Sequence, residues 1–239
     1  MAEHEIIKHT REIIKVVKNP GELKHKIGDT ILEIAIIVFA ITLSLFVERY
    51  REHQQEQKLE HSFLTNLVGD LKNDLDQLHN DSDNYARMDK SFAYLKQAYN
   101  GKKLNPDSAS KAINYLYNTI EFVPSNSRYE ALKASGKLDV IENKNLQVEI
   151  VNLYQQTIAS LLLSTRSFSD FKNKLSQYTD DNLVISKNGT NIQELMQRPK
   201  SYNLVNRSGY IQNIIDQYHG TITQTRKIIK EIEEEERNW

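Results

Sequence analysis

One uninterrupted apolar run dominates what this chain can become. From Ile31 to Val47 every residue is apolar or carries a small hydroxyl, except Glu33. As a helix the run spans roughly 25 Å at about 1.5 Å per residue, slightly less than a ~30 Å hydrocarbon layer. A soluble amphipathic helix would place a polar residue every three or four positions. Between Ile34 and Val47 only Thr42 and Ser44 are polar, and both can return a hydrogen bond to the helix backbone. A membrane-spanning helix over 30–47 is the reading that fits. "ERYREHQQ" follows the run instead of a small-residue cleavage site, and the run starts about thirty residues in, so it reads as an uncleaved signal anchor. Glu33 has two readings: a carboxyl one turn inside the membrane that reaches the headgroups, or a contact with a partner span.

Orientation follows from the flanking cations. Arg11, Lys15, Lys18, Lys24 and Lys26 precede the run, and Arg49, Arg51 and Lys58 follow it. This bias favours a cytoplasmic N-terminus and a periplasmic remainder, although a count over the nearest fifteen residues is a tie. Before the run, "EHEIIKHTREIIKVVK" at 3–18 sets Ile6, Ile13, Ile14 and Val17 opposite Lys8, Arg11, Lys15 and Lys18. That pattern suits a helix lying in a headgroup layer or a short helix packed on the protein itself. "NPGE" at 19–22 is expected to end it.

The rest of the 239 residues is water-compatible: 26% are charged and the mean hydropathy is -0.59. A formal charge of -1 supplies no basic excess for nucleic acid, and the lack of cysteine removes disulfides, thiol nucleophiles and Cys-bound metals. Eight Gly and four Pro are too few for a turn-rich β fold. Helical periodicity recurs instead. Leu64, Val68, Leu71, Leu75 and Leu78 form an apolar stripe, which a kink at "NDSDN" (80–84) interrupts before Phe92, Leu95 and Tyr99. Gly101 ends this helix, and Asn105-Pro106 caps a helix expected over 107–121. Ser127 and Glu130 read as a capping box, with Gly136 in a left-handed conformation at the C-terminus of a short helix.

A long helix from Asn143 carries Leu146, Ile150, Leu153, Leu161, Phe168, Phe171 and Leu175. The polar stretch 179–203 holds the turn-like "SKNGTN" and a brief "NIQELMQ" helix. The last helix carries Ile211, Ile215, Tyr218, Ile222, Thr225, Ile229 and Ile232, and is expected to fray into a solvated, mobile "EIEEEERNW". The fold expected is all-α: an N-terminal segment at 1–29, a single transmembrane helix at 30–47, and an elongated antiparallel helical bundle at 48–239.

Catalytic and cofactor chemistry finds no footing. No Walker loop, dinucleotide fingerprint, HExxH or GxSxG occurs. Asp76 and His79 share a helix face but read as a solvated pair, because a carboxylate-bridged metal site needs a Glu-x-x-His on each of two helices and further carboxylates facing the core. His53, Glu56 and Glu60 share a face of what reads as an exposed, charged helix. Tyr115, Tyr117, Tyr154 and Tyr218 read as amphipathic core. No catalytic, cofactor-binding or metal residue is therefore assigned, no cofactor is expected, and neither nucleic acid nor a small-molecule substrate is identifiable.

Two stretches carry a resemblance. "LEIAIIVFAITLSLFVERYREHQQEQKLEHSFLTNLVGDLKNDL" has a Glu early in the span, an aromatic-Arg pair at its exit (Tyr50-Arg51), then Leu64, Leu67, Asp70-Leu71 and Asp74-Leu75. "SRYEALKASGKLDVIENKNLQ" contributes Tyr129, Ala131, Leu132, Ser135, Gly136, Leu138 and Ile141. Together they resemble a bacterial family of uncharacterised single-span membrane proteins, a domain of unknown function; Tyr50 stands where that family usually has Trp. The resemblance implies a membrane anchor and a helical soluble region, and no activity. The role expected is a non-enzymatic scaffold or interaction module whose partners are the lipid bilayer and either a second copy or an envelope protein. The alternative is a periplasmic sensory or regulatory helical domain acting through a partner protein.

Overall fold

The computed structural model describes residues 20–187 and 189–237. The amphipathic segment at 3–18 lies outside them. Among the described residues the fold is all-α apart from one hairpin of two-residue strands, and the chain divides into two compact units between Lys58 and Leu59.

Helix α1 runs from Pro20 to Lys96 without interruption. Pro20 opens it, as suits a residue whose missing N–H has no helical acceptor at a first turn. In the first unit the helix exposes the whole apolar run. The twelve Ile, Leu, Val and Phe residues from Ile31 to Val47 are 50–68% accessible. Thr42 Oγ1 donates to the Val38 carbonyl at 2.8 Å, so this hydroxyl is satisfied within the helix itself.

The second unit opens with the rest of α1. Its buried face is a heptad seam: Glu60, Leu64, Leu67, Leu71, Asp74, Leu78, Asp81, Tyr85, Met88, Phe92 and Leu95 alternate steps of four and three and are all buried. The sequence stripe drawn through Val68 and Leu75 is displaced from this seam, because the Asp residues at 74 and 81 disguise it. Asp81 and Ser82 are buried in continuous helix, so the kink expected at 80–84 does not occur.

After Lys96 a turn ends on Gly101 (φ 80). Gly101 N–H donates to the Ala98 carbonyl and Lys102 N–H to that of Gln97, the paired bonds of a Schellman ending. The chain then returns along α1. Asn105 N–H meets Tyr94 Oη at 2.8 Å, the Glu121 carbonyl accepts from Gln77, Ser125 N–H reaches Asp74, Arg128 pairs with Asp70, and Glu142 N–H reaches Glu60. Partner numbers fall along α1 as they rise along the return, so the two run antiparallel.

Helix α2 (Pro106–Asn114) has the expected Asn105 cap, whose side chain accepts from Ser108 N–H. It stops well short of 121: residues 118–126 lie outside regular helix, and side chains of other elements bond the backbone of Asn118, Glu121 and Ser125. Helix α3 (Ser127–Ala134) starts on Ser127 with Asn126 at the cap and no side-chain cap bond, so the Ser127–Glu130 capping box is not formed. Gly136 adopts φ 68, with its N–H on Lys133 and that of Lys137 on Leu132: a second Schellman ending. A 3₁₀ turn (Leu138–Val140) leads to α4 (Lys144–Asn152), capped by Asn143.

Helix α4 passes through one π turn, Leu153–Thr157, into α5 (Ile158–Asn182). The buried positions explain the π turn. Leu146, Ile150 and Leu153 step by four and three, the next step to Ile158 is five, and Leu161, Thr165, Phe168, Lys172, Leu175 and Thr179 resume the alternation. One extra residue per turn absorbs the added position without rotating the downstream face.

The hairpin β1 (Ile185–Ser186) and β2 (Gly189–Thr190) pairs Ile185 with Thr190, at the turn the sequence marks. Helix α6 (Ile192–Gln197) follows. Helix α7 (Pro199–Asn206), which lies in the stretch expected to be polar and irregular, then leads through a 3₁₀ turn to α8 (Ile211–Glu236). Stacking of Tyr99 on Tyr202 (centroids 4.1 Å) and a Lys96–Asn206 hydrogen bond of 2.9 Å fix α7 to the end of α1.

Helix α8 runs antiparallel to α1: Arg226 meets His79, Glu233 meets Lys72 and Glu236 meets Thr65. It is also antiparallel to α4–α5, through Lys227 with Glu149 and Gln224 with Thr157. The second unit is thus an up-down-up-down bundle in which the second segment is broken into short pieces. Every stripe residue named for α8 is buried, and Ile214, Thr221 and Ile228 join them. The acidic end does not fray: the helix holds to Glu236, with Glu233 on Lys72, Glu235 on Asn143 and Glu236 on Thr65.

Candidate functional site

Two features depart from what a soluble helical bundle requires. The first is the exposed face of α1 from Ile31 to Val47. Among the described residues none of this stretch is buried, so it does not serve as a core helix of the described fold, and it is long and apolar enough to cross a membrane. Each large apolar residue contributes about -0.3 to -0.6 kcal/mol on insertion, so twelve contribute roughly -4 to -7 kcal/mol. Glu33 lies near one end of the run, where a carboxylate costs less than the ~2.5–3.5 kcal/mol charged by the membrane centre. Burial in an apolar medium wins.

The second feature is the set of polar side chains at core positions. Glu60, exposed in the sequence reading, is 1% accessible. Its Oε1 accepts Glu142 N–H at 2.7 Å, and Asp74 Oδ1 accepts Ser125 N–H at 2.9 Å. From α5, Lys172 donates to the Asn118 carbonyl, and Gln77 donates to that of Glu121. Each serves backbone that lies outside regular helix, at 118–125 and at Glu142, where polar groups need other partners. Burial pushes the Glu60 and Asp74 carboxyls up, against the backbone bonds that hold them down, and pushes the Lys172 ammonium down.

Asp81 differs. Its Oδ2 has no hydrogen-bond partner, Tyr85 and Tyr218 neighbour it, and burial pushes its carboxyl up to about 6. Tyr85 lies 5.9 Å from Phe168, edge to face, and 5.5 Å from Tyr218, so all three long helices meet at this level. Burial, then the Asp81 charge, raise the Tyr85 and Tyr218 phenols. Nearer the start of the unit, Tyr129 stacks on Tyr154 at 4.5 Å and accepts a hydrogen bond from Gln155 of the π turn.

The remaining residues weighed from sequence stay apart. His79 contacts Arg226 at 2.7 Å while Asp76 is exposed; His53 and Glu56 are exposed on the face that Glu60 leaves. Tyr154 and Tyr218 are core, Tyr115 is half-buried, and Tyr117 is exposed with its hydroxyl on Asp180, which with burial lifts it to about 12. Among the described residues no three His, Asp or Glu side chains gather as metal ligands would. The buried carboxylates are missed by apolar periodicity, yet a heptad count that admits Asp and Glu passes through all of them. No protein-family model, no curated protein and no solved structure matches this chain.

Proposed function

We propose that this protein is a single-pass membrane protein of the bacterial inner membrane, with its N-terminus in the cytoplasm and residues 48–239 in the periplasm, where the bundle acts as a non-enzymatic scaffold or interaction module. The observation that carries the reading is the wholly exposed apolar run on a helix whose continuation supplies the bundle's heptad seam. The cations before the run support the orientation, and the resemblance to uncharacterised single-span proteins supports the anchor. The partner is a second copy or an envelope protein. The unbroken helix from the run into the core gives some weight to a sensory role, in which a partner reads motion of α1.

The absence of cysteine makes the test direct, because a single introduced thiol is the only one present. Val148 is 55% accessible on α4. In cells with a permeabilised outer membrane, Val148→Cys is expected to react with a membrane-impermeant maleimide. A bismaleimide scan of exposed bundle positions is expected to yield one discrete adduct, with itself or with one envelope protein. Labelling only after lysis contradicts the orientation, and a scan without any adduct contradicts the scaffold role.

A further inference from the structure

Between α5 and the segment from Arg207 to Gln217 lies a cleft of about 730 Å³, open on one side. That volume falls within the roughly 300–1,000 Å³ of small-molecule sites. Phe168 and Ile214 are buried and Phe171 is half-buried behind it, while Leu163 (68%) and Tyr210 (69%) stand exposed at its edge. Two large apolar side chains held this open beside an apolar wall leave surface that an occupant would cover.

The charged groups define the occupant. Lys174 and Arg207 both line the cleft, and neither side chain has an ion-pair or hydrogen-bond partner among the described residues. Asp170 also lines it, one turn before Lys174, and makes no ion pair with it. Two unpaired cations against one carboxylate leave the cleft net positive beside an aromatic wall.

We propose that this cleft binds a small amphipathic carboxylate, its apolar body on Phe168, Phe171 and Ile214 and its carboxylate against Arg207 and Lys174. A guanidinium presents a planar fork that matches a carboxylate, and the ammonium adds a second, rotatable donor. Leu163 and Tyr210 close over the apolar body. Two cations are too few for a polyanion, whose binding rests on many phosphate contacts. A neutral apolar ligand would cover both charges without pairing them.

The test is calorimetric titration of the full chain in lipid nanodiscs with 4-phenylbutyrate, against empty nanodiscs. One-site saturable binding is expected, with the neutral 4-phenylbutyramide at least tenfold weaker. Lys174→Glu with Arg207→Glu is also expected to weaken the acid at least tenfold. Both positions are exposed, so the circular dichroism of that variant should match the parent. Should it not fold, photolysis of a diazirine-bearing hexanoate on the parent chain decides: label confined to peptides covering 163–174 and 207–217 supports the site. Absence of saturable binding, equal binding of acid and amide, an unaffected double variant, or label elsewhere overturns it.

Discussion

Two glycines show how differently one residue type acts in this chain. Gly136 sits at φ 68, where a side chain's Cβ crowds the following carbonyl at a cost of about 1–2 kcal/mol. A Cβ there meets no atom within 4 Å, so the whole cost of substitution is backbone strain. Gly136→Val is expected to lower stability by more than ~1 kcal/mol, the β-branched residue being the poorest fit. Gly69 is exposed within helical α1, and its Cβ also meets nothing. Gly69→Ala is therefore expected to stabilise by about 0.5–1 kcal/mol. Thermal melts of the detergent-solubilised chain check both signs. Asp81 gives a third residue-scale outcome. Its carboxyl is raised from 3.8 to about 6 by burial, so the folded state holds the proton more tightly than the unfolded. The stability this contributes is full below about pH 4 and is lost as pH rises through 6. Asp81→Asn removes that loss: the variant is expected to melt above the parent at pH 7.5, by about 1 kcal/mol with partial solvation allowed for, and the gap should shrink by pH 4.5. A gap independent of pH contradicts the burial account. The left-handed Gly136 was legible because a C-terminal glycine after a short helix has few other roles. Glu60 and Asp74 were not, since a carboxylate on an apolar face looks like an interruption until the backbone it serves is seen, and Asp81 looks like the same interruption.

At the scale of elements, legibility tracked how much of each helix is decided by its own periodicity. The apolar stripe of α8 was readable because it is mostly Ile. The irregular return from 104 to 142 was not, because its hydrogen bonds come from α1 and α5 and no local pattern encodes them. The acidic end of α8 illustrates the same limit: the macrodipole disfavours it, yet Lys72, Thr65 and Asn143 supply partners from distant parts of the chain. The π turn lies between these cases. Leu153 and Leu161 are eight apart where a heptad needs seven, and that surplus residue was visible in the spacing. Deleting exposed Gln156 should convert the π turn to α-helix while every buried position keeps its face, at a cost of about 1 kcal/mol or less, part of it from the Gln155–Tyr129 bond. Deleting exposed Asn173 from regular α5 instead rotates Leu175 and Thr179 off the core and is expected to cost several kcal/mol. Equal melting points for the two deletions contradict this reading of the π turn.

At the scale of the whole molecule, the chain combines a bundle that satisfies its own core with an apolar helix surface that nothing among the described residues covers. The two follow from one helix: from Ile31 to Val47 its apolar residues surround it on every side, and from Glu60 they narrow to a seam. The central claim is that the first part is covered by lipid. Alkaline carbonate extraction of membranes from cells expressing the full chain tests it most directly, with Phe39→Asp/Ile41→Lys as the comparison. Two charges at the middle of the run cost about 5–7 kcal/mol, enough to cancel the insertion energy of the apolar residues. The parent is expected to stay in the membrane pellet and the variant to move to the supernatant. Release of the parent by carbonate would contradict the account.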